Sequence, residues 1–171
     1  MPLWELGIGF STYVEMCGLA PSRILGVLRY VAGGWDASTI RFLPTGTVQA
    51  IIGTSPHGQG HVTTFSQLVA DRLGVPFESV EVIHGDTMVS PLGMDTYGSR
   101  SLTVGGVSLW QAADKVVAKA KAIVAHQFEV DDADLRESGG TFTLAGTDKS
   151  MTVAEAAFAR SEEHTSELQS Q

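Results

Sequence analysis

The sequence lacks several features that would define a class of protein. It has one cysteine, Cys17, which excludes an internal disulfide framework and gives no cysteine spacing for a metal site. No apolar run approaches the length needed to cross a bilayer, and the first ten residues do not resemble a secretory signal. Basic residues are outnumbered, with 11 Lys and Arg against 19 Asp and Glu, which argues against a nucleic-acid-binding surface. We therefore expect a cytoplasmic protein that binds no nucleic acid.

Glycine, in contrast, is abundant and gathered in short loops. There are 19 glycines, in a chain of 171 residues that is long enough for one domain with a hydrophobic core. Glycine lets a backbone approach a ligand closely and adopt dihedral angles that other residues avoid. At least one of these loops is therefore predicted to have a function.

The last twelve residues, Arg160 to Gln171, differ in composition from everything before them. They resemble the peptide encoded when a common sequencing-library adapter is translated in frame. We therefore expect residues 160–171 to be an artefactual, disordered tail, and residues 1–159 to be a partial domain open at both ends. The alternative is a polar disordered tail of the natural protein.

Hydrophobic periodicity predicts a regular order of elements in the first half of the chain. Gly7–Pro21 is interpreted as a strand leading into a loop. Two β-rich runs flank the turn Pro44-Thr45-Gly46 and predict a hairpin. Apolar residues at helical spacing predict a helix over His61–Leu73, ended by Gly74, and alternation predicts a strand over Ser79–Ile83.

The second half continues with a long helix, a hairpin and a last helix. The long helix is predicted over Leu102–Phe128, and one apolar stripe is expected to be buried: Val107, Trp110, Ala113, Val117, Ala120 and Val124. A second hairpin is predicted around Ser138-Gly139-Gly140. Thr152 is a candidate N-cap of the last helix, with Glu155 completing a capping box. The order hairpin, helix, strand, long helix, hairpin, helix indicates an α+β fold.

Two glycine-rich loops lead into helix N-termini and are the candidate binding residues. The first contains Gly58, Gln59 and Gly60, before a helix whose free N–H groups and positive dipole end favour an anion. The second contains Gly98, Ser99, Arg100 and Ser101, before the long helix. A cation at a positive dipole end is unfavourable without a nearby anion, so Arg100 is predicted to contact a ligand.

Simpler interpretations of these residues remain open. Glycine and serine before a helix are commonly a turn and an N-cap. His57 and His61 are spaced as metal ligands could be, but no acidic residue lies between them as in a zinc-protease helix. Glu15 and Cys17 are interpreted as packing or loop residues. We assign no catalytic residue and no metal ligand.

Together these motifs resemble a known family. They are Gly7-Ile8-Gly9 followed by Glu15, His57-Gly58-Gln59-Gly60-His61, Gln67 to Gly74, Gly85-Asp86-Thr87 and Gly93 to Ser101. The ordered series resembles the molybdopterin-binding subunit of the xanthine dehydrogenase and aldehyde oxidase family. Within it, the run Thr96 to Ser101 is most similar to large chains of the aerobic carbon monoxide dehydrogenase type.

The resemblance implies a cofactor, partners and a reaction. The cofactor is molybdenum held by molybdopterin, often extended by a cytosine dinucleotide in bacteria. Gly58, Gln59 and Gly60 would contact its pterin-phosphate part, and Gly98, Ser99 and Ser101 would contact it from the second loop. FAD and 2Fe–2S clusters are expected on partner subunits, in a dimer of heterotrimers. The substrate would be carbon monoxide, an aldehyde or an N-heterocycle, oxidised with water-derived oxygen.

Parts of the family pattern have no counterpart in this sequence. These are the general-base Glu of a late glycine-rich motif, the upstream loop on the substrate side of the metal, and the active-site cysteine motif, whose context Cys17 does not share. We therefore expect the fragment to be inactive alone. Two alternatives remain: a non-catalytic module that binds a phosphate-bearing ligand, and a purely structural α+β domain whose glycines are turns.

Overall fold

A computed structural model describes residues 7–15, 17–19, 22–30 and 34–159. The helices are α1 (Ser22–Val27), α2 (His61–Leu73), α3 (Val107–Phe128) and α4 (153–159). The strands are β1 (Ser38–Phe42), β2 (Val48–Ile52), β3 (Val80–Ile83), β4 (Leu135–Ser138), β5 (Thr141–Leu144) and β6 (Ser150–Thr152). From β1 onwards the helices and strands follow the predicted α+β order with β6 added, whereas α1 was not predicted. The expected tail, residues 160–171, lies outside the described residues.

The first sheet has the strand order β1-β2-β3. β1 and β2 form the predicted antiparallel hairpin, with Ser38 opposite Ile52. β3 lies parallel to β2, and α2 makes the crossover between them. The first candidate loop belongs to residues 53–60, which join β2 to α2, and it therefore follows the carboxyl end of the central strand.

The second sheet is antiparallel in the order β4-β5-β6. β4 and β5 are the second predicted hairpin. β6, which pairs Met151 with Phe142, was not predicted, since three residues are too few to show an alternating pattern. This sheet packs its buried Leu135 and Phe142 into the same core as the first.

The core lies between the sheets and the two long helices, and α3 contributes its largest share. The buried residues of α3 are Leu109, Ala113, Val117, Ala120, Val124 and Ala125. The predicted stripe is wrong at its start, because Val107 and Trp110 are half-exposed. Leu109 occupies the buried face four residues before Ala113, whereas Trp110 lies under the guanidinium of Arg72, 5.7 Å from ring centroid to Cζ.

The strand predicted at the start of Gly7–Pro21, before a loop, is wrong for the part that the structure describes. Residues 7–15 form no regular element, and Cys17–Leu19 form a 3₁₀ turn. A strand needs a neighbour to satisfy its backbone. Residues 7–15 are exposed and pair with no strand among the described residues.

The capping box at the start of α4 is confirmed. The Glu155 amide donates to Thr152 Oγ1 at 3.1 Å, and Glu155 Oε2 accepts from the Thr152 amide at 2.7 Å. The hydrogen bonds that the Glu155 carboxylate accepts from the Thr152 amide and from the Thr152 hydroxyl, at 2.8 Å, lower its pKa from the ordinary value. Two orphan backbone donors are thereby satisfied.

We predict that Thr152→Ala destabilises the protein by about 1 kcal/mol, because the Glu155 amide loses its acceptor. Urea unfolding measures the change. Ser150→Ala, an exposed position on β6, is the matched control and should stay within about 0.5 kcal/mol of the parent. Equal effects of the two substitutions would contradict the assigned cap.

Candidate functional site

The two candidate loops line one cleft of about 540 Å³. Residues from the first loop and α2 form one wall, and residues preceding α3 form the other. Four predicted site residues line it: Gln59, Gly98, Ser99 and Ser101. Loops that lie about forty residues apart in sequence therefore face a common space, as a two-sided binding site requires.

The first loop needs glycine for its backbone conformation. Gly58 and Gly60 have φ of 105° and 82°, in the left-handed region, and a Cβ added at either would meet only open space. Gly60 is the N-cap of α2 and provides no side chain to cap it. The first N–H groups of α2 are therefore left for water or a ligand.

Gln59 is oriented by its own loop. Its side-chain oxygen accepts a hydrogen bond from the His57 amide at 2.5 Å. The side-chain nitrogen, which carries two N–H donors, has no acceptor among the residues that the structure describes. Gln59 therefore presents donors, rather than an acceptor, to the cleft.

The second loop has its hydroxyl hydrogens occupied inside the protein. Ser99 Oγ donates to Glu15 Oε1 at 2.6 Å. Thr96 Oγ1 donates its hydrogen to the Ser55 carbonyl at 2.7 Å, so in the 3.0 Å contact between Thr96 and Ser101 the Ser101 hydroxyl is the donor. The amides of Gly98 and Ser99 find no acceptor within the described ranges. Backbone N–H groups are thus what this loop offers a ligand.

Glu15 was interpreted from sequence as a packing or loop residue, and the structure places its carboxylate in the cleft wall. The contact with Ser99 spans 84 residues. The only signal in the sequence was its place after Gly7-Ile8-Gly9 in the family-like series. Glu15 brings the N-terminal segment into the site.

His61 is a second cleft residue that was not predicted as a binding residue. It is the first residue of α2, 6% exposed, and its ring stacks on Phe65 with centroids 5.1 Å apart. Its buried Nδ1 has no hydrogen-bond partner among the described residues. An unsatisfied buried polar atom costs about 1–3 kcal/mol, which a polar ligand atom would offset.

The surroundings of His61 favour the neutral form of its ring. Burial lowers its pKa from the ordinary value, and the nearby His84 and His57 lower it further, while Asp95 acts in the opposite direction. A neutral imidazole has one donor and one acceptor nitrogen. His61 can therefore either donate to or accept from a ligand in the cleft.

Arg100 does not fit the predicted contact through its side chain. Its guanidinium is 1% exposed and lies inside the protein, where Nη1 donates to Asp36 Oδ2 at 3.0 Å and Nη2 donates to the Trp35 carbonyl. The anion that the helix start required is Asp36, 64 residues upstream, rather than a ligand. Sequence reasoning missed it because nothing local marks so distant a partner.

Two features are absent from the part of the chain that the structure describes. No helix there has the length and apolarity to span a membrane. No group of three or more His, Cys, Asp or Glu side chains within the same ranges is arranged to hold a metal ion. His57 and His61 therefore do not form part of such a cluster there.

A family model and several relatives match this chain. The model of the molybdopterin cofactor-binding domain matches residues 3–170. The carbon monoxide dehydrogenase large chain of Hydrogenophaga pseudoflava is 42% identical over 154 residues, which is 90% of this chain and 19% of that relative. This chain thus spans about a fifth of the length of that relative.

Solved structures match the fold as well. Reconstituted CO dehydrogenase from Oligotropha carboxidovorans gives a TM-score of 0.76 at 40% identity, over 85% of this chain and 18% of that one. Quinoline 2-oxidoreductase from Pseudomonas putida 86 gives a TM-score of 0.75 at 32% identity, over 88% and 19%. The α+β arrangement is therefore part of a larger known fold.

Proposed function

The chain belongs to the molybdopterin cofactor-binding domain family, and from this premise we propose that its cleft holds the molybdopterin cofactor of a molybdenum hydroxylase. The observation that carries the proposal is the convergence of the two predicted loops on one space, where His61 Nδ1 is buried with no hydrogen-bond partner among the described residues. Gly58, Gln59 and Gly60 would bind from one side, and Gly98, Ser99 and Ser101 from the other.

The residues of the cleft suit such a ligand. Phosphate oxygens need donors, and the uncapped start of α2, the Gln59 side-chain nitrogen and the amides of Gly98 and Ser99 supply them. A pterin also has N–H groups, for which the Glu15 carboxylate is an acceptor. The neutral His61 ring matches either partner.

When bound, the cofactor would supply the two-electron oxidation of the substrate at its molybdenum. The residues of this chain would bind and orient it, and Arg100 would act from behind the cleft wall rather than by contact. We assign no catalytic residue to this chain. The carboxylate that lines the cleft, Glu15, accepts a hydrogen bond from the Ser99 hydroxyl, and its role is to hold the cleft wall together.

The finer parts of the proposal concern the whole protein. The substrate would be carbon monoxide, an aldehyde or an N-heterocycle, oxidised with water-derived oxygen. Electrons would pass to FAD-binding and iron–sulfur subunits, in a cytoplasmic dimer of heterotrimers. A cytosine dinucleotide extension of the cofactor belongs to the same proposal, as does the inactivity of residues 1–159 alone.

We predict that Gln59→Ala lowers cofactor retention roughly tenfold, because two donors to a charged ligand are lost. The measurement is molybdenum by mass spectrometry and pterin by fluorescence of its oxidation product, per mole of purified large subunit carrying this segment.

Gln67→Ala is the matched control for Gln59→Ala, since Gln67 is exposed on α2 outside the cleft. It should leave both contents unchanged. Unchanged retention in Gln59→Ala would exclude Gln59 as a contact. A phosphate-bearing ligand recovered without molybdenum or pterin would favour the alternative of a non-catalytic binding module.

A further inference from the structure

Asp36 lies where the two loops of the cleft meet the first sheet. Its side chain is 0% exposed. Oδ2 accepts from Thr54 Oγ1 at 2.6 Å and from Arg100 Nη1 at 3.0 Å, and Oδ1 accepts from the Ala37 amide at 2.8 Å. Thr54 starts the first loop and Arg100 belongs to the second. One buried carboxylate therefore holds both walls of the cleft.

The backbone around Asp36 is packed too closely for any side chain to intervene. A Cβ added to Gly53 would lie 2.5 Å from Asp36 Oδ1 and 2.9 Å from Gly93 Cα. A Cβ added to Gly105 would lie 2.5 Å from Thr54 Oγ1. Gly53, at the end of β2, and Gly93 thus lie within contact distance of the Asp36 carboxylate. The π-helical turn Ser101–Gly106, which precedes α3, packs against Thr54, the residue that donates to that carboxylate.

The second loop is tied to the same point through Arg100. Its guanidinium also donates to the carbonyls of Asp95 and Trp35 and lies over the ring of Tyr97, with Cζ 5.4 Å from the centroid. A buried ion pair tolerates few geometries, because a displaced partner leaves an uncompensated charge. The hydrogen bonds to the two carbonyls restrict the guanidinium further, since they depend on direction as well as on distance. The network therefore fixes the position of loop two relative to loop one.

We propose that Asp36 is a positioning residue that sets the spacing of the two cofactor-binding loops through Thr54 and Arg100. It touches no ligand itself, since it does not line the cleft. This inference rests on the proposed function, because a fixed distance between the two loops matters only if a ligand binds between them.

The test is Asp36→Asn in the holoenzyme whose large subunit carries this segment. Asn keeps the shape of the side chain but removes the negative charge to which Arg100 and Thr54 both donate hydrogen bonds. Pterin release should become about 10- to 100-fold faster, the size of effect seen when groups that orient ligand-binding residues are removed. Amide hydrogen exchange of the apo form should rise about tenfold in residues 54–60 and 96–101, while the buried centre of α3 stays unchanged.

Asp114→Asn is the matched control. It removes the same charge from an ion pair with Arg72, at the opposite end of α2 from the cleft. Pterin release and the exchange of both loops should equal those of the parent protein.

Thr54→Val serves if Asp36→Asn does not fold. It keeps the ion pair and nearly the same side-chain volume but removes the bond from the first loop to Asp36. Exchange should rise in residues 54–60 alone, with pterin release accelerated less than in Asp36→Asn.

Three results would overturn the inference. Unchanged exchange in both loops would show that Asp36 does not brace them. Exchange that rises equally throughout α3 would reduce Asp36 to a general contribution to stability. Faster loop exchange with unchanged pterin release would show that the loops do not hold the cofactor. That result would contradict the proposed function, and with it the role of Asp36 as a positioning residue for cofactor binding.

Discussion

Gly140→Ala is expected to destabilise the protein by about 2–5 kcal/mol, combining left-handed strain with overpacking. Gly140 has φ of 73°, and its added Cβ would lie 2.0 Å from the Leu73 carbonyl oxygen and 2.7 Å from the Gly74 nitrogen. All the neighbours are backbone atoms, so no side chain can rotate away. The C-terminal end of α2 and the β4–β5 turn would have to separate.

Gly139→Ala is a control that isolates the contact. Gly139 is the adjacent residue, also has positive φ at 53°, and has nothing within 4 Å of its added Cβ. It should cost only the conformational strain, about 1–2 kcal/mol. Urea unfolding of both variants measures the difference, and equal losses would mean that α2 and the turn are not in direct backbone contact.

Local patterns allowed much of this fold to be predicted from the sequence. The helix over His61–Leu73 was predicted from the helical spacing of its apolar residues and from Gly74 as its C-terminal stop, and the structure places Gly74 in the left-handed region there. The Thr152–Glu155 capping box was predicted for the same kind of reason, since its two partners are three residues apart. Signals of this type depend only on neighbours along the chain.

Contacts between distant residues could not be predicted in this way. The bond of Glu15 to Ser99 and the ion pair of Asp36 with Arg100 join residues 84 and 64 positions apart. A pattern that repeats along a chain has no information about such partners. This is why the sequence indicated that Arg100 needs an anion but not that the anion is internal.

For the candidate site, the sequence therefore predicted which loops are involved but not how they are arranged in space. The loops containing Gln59 and Ser99 were identified because glycine before a helix has a local signature. That they face each other depends on the crossover of α2 and on the junction at Asp36, which are tertiary features. His61 was missed as a binding residue because the burial of its Nδ1, away from any partner in the described part of the chain, is known only from the structure.

Arg100→Met is expected to destabilise the protein by about 3–5 kcal/mol, because it leaves the Asp36 carboxylate buried without its counter-charge. Both partners are almost fully buried, at 1% and 0% exposure, so water cannot replace the lost guanidinium. The Trp35 and Asp95 carbonyls lose their donors as well. For a domain of this size, the melting temperature should fall by roughly 6–20 °C.

Arg72→Met separates this burial effect from the loss of an ion pair in general. Arg72 pairs with Asp114 at 2.6 Å and Glu137 at 3.3 Å, but its side chain is 20% exposed and its partners more so. Solvent screening limits the expected loss to about 1 kcal/mol. If Asp36→Leu added to Arg100→Met recovers part of the stability, the deficit comes from the uncompensated charge. No recovery would instead assign it to the two carbonyls, and would contradict the electrostatic origin of the prediction.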